Sequence, residues 1–180
     1  ELVQAPTTHG SEKLPVVTRG GMATRFDEND VRPMGRTAAG VRAIRLKDGD
    51  EVVAAVRATD EDAAVLTVTE NGYGKRTRIG EYSVQNRGGQ GLKTYQITQK
   101  TGEIVGAKKV TGEEDILLVS DDGTIIRMEA GSISLLGRAT QGVRLMRPAE
   151  GAHVVAMART EREASEEEEA AENAETPVEE

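Results

Sequence analysis

Thr69-Glu-Asn-Gly-Tyr-Gly-Lys-Arg76 decides the fold, because it occurs three times in altered form. It aligns with Thr18-Arg-Gly-Gly-Met-Ala-Thr-Arg25 and with Ser120-Asp-Asp-Gly-Thr-Ile-Ile-Arg127. The glycines Gly21, Gly72 and Gly123 lie 51 residues apart, and so do the arginines Arg25, Arg76 and Arg127. Arg36, Arg87 and Arg138 keep the same interval. So do Gly40, Gly91 and Gly142, each followed by an aliphatic residue (Val41, Leu92, Val143), and further on Val53, Ile104 and Val155. These marks align without insertion or deletion, so the chain is a tandem array of one unit.

Within the middle copy the pattern predicts four short strands. Residues 65–69 are an apolar, β-branched run, Asn71-Gly72 is a hairpin signal, and residues 73–79 return. A polar stretch leads to a third strand over 91–98 and a fourth over 104–110. Helical periodicity is absent before the C-terminal tail. A period near 50 with four strands per copy predicts an all-β fold, a β-propeller or β-pinwheel array of about three four-stranded blades. An open β-solenoid is the alternative architecture. Propellers use about 4 to 8 blades, so three do not close a ring and further blades are expected before residue 1. Leu2 and Val3 fall where Ile104 and Val105 stand, and the first residue is Glu1 rather than Met. Both features read as a fragment that opens on the last strand of a preceding copy. The expected division is 1–13 (end of a preceding blade), 14–62, 63–113 and 114–160 (blades), and 161–180 (a disordered acidic tail).

Charge is distributed unevenly. The net charge is −8, but residues 161–180 hold ten acids and one base, leaving residues 1–160 at +1. A run of glutamates amid Ala, Asn and Pro177 reads as disordered and solvated. Its carboxylates could also compete with a polyanion for the basic face of the blades. The chain has no cysteine, which excludes disulfides and thiolate metal sites and fits a reducing compartment. No apolar run approaches the roughly 18 residues of a membrane span.

Repeated glycines in hairpins are structural by default. Repeated arginines are less readily explained by folding, although a cross-strand ion pair could account for one. Rows of cations around a rim suit a bent polyanion, through phosphate neutralisation without sequence preference. In Gln85-Asn86-Arg87-Gly88-Gly89-Gln90-Gly91 the glycines let backbone approach a ligand, and successive N–H groups can form an anion nest beside the guanidinium. The candidate DNA-binding residues are therefore Gln85, Arg87, Gly88, Gly89 and Gly91, together with Arg25, Arg36, Lys75, Arg76, Arg78, Lys93, Arg127, Arg138 and Arg144. No catalytic or metal site is predicted. His9 and His153 do not recur with the repeat, and neither has an evident metal or base–nucleophile partner.

Three segments carry a family resemblance: Val31-Arg-Pro-Met-Gly-Arg-Thr-Ala-Ala-Gly-Val-Arg-Ala-Ile-Arg-Leu46, Asn71-Gly-Tyr-Gly-Lys-Arg-Thr77, and Gly137-Arg-Ala-Thr-Gln-Gly-Val-Arg-Leu-Met-Arg147. They resemble blades of the C-terminal domain of the bacterial DNA gyrase A subunit, and the likeness extends to about Arg159. It implies part of a six-bladed β-pinwheel with strands exchanged between blades, which wraps double-stranded DNA and presents it to a type II topoisomerase for ATP-driven negative supercoiling. It implies a heterotetramer whose other parts are the remainder of the A subunit, together with the B subunit. It further implies a cytoplasmic, nucleoid-associated setting, and no cofactor here, since ATP and Mg2+ serve the rest of the enzyme. The family's heptapeptide is Gln-(Lys/Arg)-Arg-Gly-Gly-(Arg/Lys)-Gly. Residues 85–91 match it except at Asn86 and Gln90, where the family carries cations, so the stretch reads as a second, weaker box. The active-site tyrosine of the family lies in another domain, and Tyr73, Tyr82 and Tyr95 carry nothing of that role. Two other readings remain: the corresponding domain of topoisomerase IV, which usually lacks the box, and a protein-binding propeller. A catalytic propeller is disfavoured, because catalytic roles need convergent partners.

Overall fold

A computed structural model describes residues 2–58 and 60–162. The acidic run expected to be disordered lies almost wholly outside them. Each copy begins with an antiparallel hairpin: β1 (Lys13–Thr18) with β2 (Met22–Asp27), β4 (Ala64–Thr69) with β5 (Tyr73–Arg78), and β8 (Asp115–Ser120) with β9 (Ile125–Glu129). A long final strand returns to the first strand of its own hairpin: β3 (Val52–Ala55) to β1, β7 (Ile104–Val110) to β4, and β11 (Val154–Thr160) to β8.

The third strand behaves differently. It is only two residues long, and it joins the sheet of the preceding copy. β6 (Leu92–Lys93) pairs with β2, and β10 (Val143–Arg144) pairs with β5. The sheet orders are accordingly β3-β1-β2-β6, β10-β5-β4-β7 and β11-β8-β9. The third strand expected over 91–98 is thus much shorter, because the chain leaves the sheet again after pairing with the neighbour. The strand exchange implied by the resemblance is present at both joints.

Each hairpin is followed by a short 3-10 turn that the pattern of apolar residues does not reveal: Glu28–Asp30, Ile79–Glu81 and Ala130–Ser132. Leu2 and Val3 are exposed and lie in no strand. Final strands pair with the first strand of their own hairpin, and this chain holds no first strand for those two residues.

Two of the three core clusters span neighbouring copies, and the third, Val16, Phe26 and Ile44, lies within the first. Val17, Ala23, Ala54 and Val56 of the first copy pack with Val65, Ile79, Tyr82 and Tyr95 of the second. Leu66, Val68 and Val110 of the second pack with Ile116, Leu118, Ile133, Met146 and Val154 of the third. Each fully buried aliphatic side chain contributes about 1.5–3 kcal/mol, so a blade without neighbours lacks most of its stabilisation. With no Trp and a single Phe in the chain, the tyrosines fill the largest spaces. The Tyr95 hydroxyl donates to Gln141 O at 2.6 Å, which keeps its buried oxygen satisfied.

Gly91 and Gly142 mark the points where the exchanged strand enters. Both have positive φ (+76° and +71°), and a Cβ would meet Ala23 O at 2.5 Å and Gly74 O at 2.6 Å. The equivalent Gly40 also has positive φ (+78°) but faces open space. Positive φ costs a non-glycine residue about 1–2 kcal/mol at either place. Gly142→Ala is expected to destabilise by at least about 1 kcal/mol more than Gly40→Ala, because only it adds a backbone clash. Urea denaturation of the two variants measures this; equal losses would show that the close approach carries no weight.

Candidate nucleic-acid interface

Within the first row of arginines, Arg25 points inward, Arg76 is half-buried and Arg127 is exposed. Arg25 is buried, and its guanidinium pairs with both Glu61 carboxylate oxygens while donating to Ile79 O (3.2 Å) and Tyr82 O (3.1 Å). The hydrogen bonds from Arg25 hold the Glu61 carboxyl below its ordinary value. Arg76 repeats the contact one copy on: Nε donates to Ile133 O and Nη2 to Gly131 O, both at 2.7 Å. Arg25 and Arg76 therefore both grip the 3-10 turn of the following copy through its main-chain carbonyls. Arg127 bonds instead to Asp115 Oδ2 (2.7 Å) and Glu161 O (2.9 Å). Asp115 stands where the other copies have Lys13 and Ala64.

Lys75 is also fully buried. Its ammonium donates to Gly137 O (2.7 Å), Arg138 O (2.5 Å) and Thr140 Oγ1 (3.0 Å), and lies 4.9 Å from the Tyr95 ring centre. Burial pushes its pKa down to about 8, with Glu81 opposing the shift and Arg138 adding to it. Arg25 and Lys75, expected on a DNA path, are thus corrected to buried joints between copies: their charges are spent on carbonyls and a carboxylate. Arg76 is half-buried, with Nε and Nη2 donating to the next turn.

The second row runs along the seam where strands are exchanged. Arg87 Nη1 donates to Arg42 O at 2.5 Å, and Arg138 Nη1 to Lys93 O at 3.1 Å. Arg36 is exposed. The acceptor residues belong to a third row, Arg42, Lys93 and Arg144, again 51 apart and all exposed. Lys93 and Arg144 were expected in the interface; Arg42 was missed, although the interval itself could have found it. Arg144 is ordered by Tyr73, whose phenol oxygen accepts from Nε (3.2 Å) and Nη2 (2.5 Å) while the guanidinium lies 4.9 Å from the ring centre. These bonds lower the Tyr73 pKa. Arg78 is exposed and faces Asp62 (Nη1–Oδ1 3.9 Å).

The Gln85–Gly91 box folds against the first copy. Gln85 N–H donates to Arg25 O, Gly88 N–H to Ala43 O, and Gly89 O accepts from Arg45 N–H, each at 2.7 Å. Gly88 has φ +81°. The expected anion nest therefore loses its Gly88 donor, which is spent on the protein. Among the described residues there is no group of three metal-ligating side chains, and no helix is long and apolar enough to cross a membrane.

The model of the DNA gyrase C-terminal domain, beta-propeller family matches residues 14–59, 63–111 and 114–161. The chain belongs to this family. Among relatives of this gyrase-family chain, the DNA gyrase A subunit of Staphylococcus epidermidis (strain ATCC 12228 / FDA PCI 1200) is 47% identical over 164 residues, and that of Staphylococcus aureus (strain MRSA252) 46% over 173. The matches cover 91% and 94% of this chain but only 18% and 19% of those proteins. Two solved structures share the fold. The C-terminal domain of DNA topoisomerase IV has TM-score 0.80 and 26% identity over 92% of this chain and 51% of that one. A DNA gyrase A C-terminal domain has TM-score 0.79 and 30% identity over 85% and 52%.

Two outcomes test the inward cations. Arg25→Ala leaves Glu61 and two carbonyls without their donor and is expected to cost about 3–5 kcal/mol in urea denaturation; a loss below 1 kcal/mol would contradict the role as a joint. For Lys75 the folded pKa lies below the unfolded one, so between about pH 8 and 10.5 the unfolded chain binds more protons. Stability conferred through this group therefore rises with pH across that window. Lys75→Met should lose that rise, so the difference between the parent and variant stability–pH curves should climb across the window.

Proposed function

We propose that this chain is the DNA-binding and DNA-wrapping part of a DNA gyrase A subunit. The observation that carries the reading is the pair of adjacent cation rows along the exchange seam, Arg36, Arg87 and Arg138 beside Arg42, Lys93 and Arg144. Members of both rows repeat with the blades, so they present charge at regular intervals, as a curved phosphate backbone requires. Arg78 adds to the same proposal. Gln85, Gly88, Gly89 and Gly91 hold Arg87 in place rather than meeting the bases, so binding is expected to be independent of sequence.

Bending a 20–30 base-pair segment by 40–90° costs about 1–6 kcal/mol. Many modest phosphate contacts offset this, and the wrapped duplex is thereby presented to the rest of the enzyme. ATP hydrolysis, Mg2+ and strand breakage belong to the B subunit or to other parts of the A subunit, in a bacterial cytoplasmic complex. The chain itself contributes position and charge, not a reacting group. A topoisomerase IV origin is the second reading, favoured by the similar TM-score to that enzyme's domain. The higher identity to gyrase A relatives and the glycine box favour gyrase.

DNA affinity measured against salt tests the seam. Lys93→Ala, Arg138→Ala and Arg144→Ala should each reduce the slope of log K against log salt by about 0.9. Wrapping is read separately, as a shift in linking number when nicked plasmid is ligated in the presence of the protein. Unchanged slopes in all three variants would remove the seam from the DNA path.

A further inference from the structure

The final strands carry a further row of cations, at the sheet edge opposite the exchange seam. β3 and β7 stand at one end of their sheets and the lent strands β6 and β10 at the other, three strand spacings or roughly 14 Å apart. Equivalent places on the final strands follow from register. Lys109 pairs with Val65 and Arg159 with Ile116. Arg57 lies opposite Leu14, since Val56 N–H donates to Pro15 O and Ala58 N–H to Lys13 O. Leu14, Val65 and Ile116 lie 51 residues apart, so Arg57, Lys109 and Arg159 form one row. Their own intervals are 52 and 50, which hides the row from a count of 51.

The first and last members of the row are partly neutralised. Arg57 Nη1 lies 3.8 Å from Glu12 Oε1, and Arg159 Nη1 lies 3.7 Å from Glu114 Oε1. Each also donates to a carbonyl, Thr7 O at 2.9 Å and Lys109 O at 3.3 Å. Glu12, Ala63 and Glu114 are equivalent, because their carbonyls accept in turn from the N–H groups of Glu28, Ile79 and Ala130. The middle copy thus has alanine where the others have the glutamate. It also adds a second cation, Lys108, at the place of Val56 and Ala158. Lys108 and Lys109 are half-buried, and neither side chain has a hydrogen-bond or ion-pair partner among the described residues. Arg57, Lys108, Lys109 and Arg159 line one groove of about 540 Å³, whose lining holds no carboxylate and no aromatic ring. Along β7 alternate residues bond to β4, which leaves the main-chain groups of Ala107 and Lys109 on the free edge; Arg159 reaches Lys109 O there. Ala55 holds the place of Ala107 in the first copy, and its N–H takes an oxygen, Gln4 Oε1, at 3.3 Å. No side-chain acceptor meets Ala107 N–H among the described residues.

The two lysines leave β7 on opposite faces. Lys108 shares the face of Leu66, toward the third copy, and Lys109 that of Val65, toward the first. The ammonium groups therefore flank a free edge that carries N–H donors, and a sheet edge of this kind is an anion-binding concavity. We propose that this groove binds a chain of two or three phosphoryl groups, with Lys108 and Lys109 as its cations, Arg57 and Arg159 as flanking cations and the N–H groups of Ala107 and Lys109 as neutral donors. The cations come from three copies, so a single phosphate would engage only part of the row. The lining offers no ring on which a base could stack, so the groove reads the phosphate chain, whether free or carried on a nucleotide. It is separate from the proposed DNA path, because the seam lies at the other edge of the sheets.

The test titrates sodium tripolyphosphate into the full chain, with affinity measured by calorimetry and the site located by amide NMR shifts. The largest shifts are expected at Ala107, Lys108 and Lys109. Lys109→Ala should weaken binding about tenfold. Ala63→Glu restores the acid of the other copies and should weaken binding at least as much, with both lysines still in place. Lys108→Ala serves if Ala63→Glu fails to fold. ATP is the second probe: an affinity equal to that of tripolyphosphate supports the phosphate chain as the whole determinant, and tighter binding supports a nucleotide as its source. Largest shifts at Arg138 and Arg144, or an affinity unchanged by Lys108→Ala and by Lys109→Ala, would overturn the proposal. So would binding seen only after removal of residues 163–180, which would give the groove to the acidic tail.

Discussion

No copy of the repeat can complete its own sheet. In the first two sheets the outer strand is lent by the copy that follows, and this loan positions nearly everything else. It draws Gly91 against Ala23 and Gly142 against Gly74, where a side chain would not fit. It carries the loop before the exchanged strand across the neighbour's second strand, within reach of Lys75 in the later joint. Because two of the three apolar cores also lie between copies, stability is a property of joints, with each blade depending on its nearest neighbours.

The repeated cations divide by what they touch. Arg25, Arg76 and Lys75 satisfy carbonyls across a joint, where low polarity strengthens a charge-assisted bond and makes its loss costly. Arg87, Arg138, Arg42, Lys93 and Arg144 lie along the exchange seam, where the main-chain carbonyls of Arg42 and Lys93 order the guanidinium groups of Arg87 and Arg138. The body charge of +1 is the balance of 22 bases and 21 acids; the division says only which of those bases remain at the surface.

The Arg127 environment shows how an array adapts locally. Its guanidinium is met by Asp115 of the same hairpin, where the other copies rely on the following turn. The interaction is kept while the source of the acceptor changes.

How far the sequence could be read follows from what repeats in it. The interval of 51 residues, the hairpins at Gly21, Gly72 and Gly123, and the extent of β7 were legible directly, because glycine placement and β-branched runs are local properties. The period even contained Arg42, had the count been extended to it. The sequence by itself determined the repeat, the all-β class and which positions recur as cations. Tertiary structure alone decided that Arg25 and Lys75 face inward and that the third strand belongs to the preceding sheet. Neighbouring residues on a strand point to opposite faces, and whether a face meets another blade or open solvent depends on a partner some fifty residues away, to which local sequence carries no pointer.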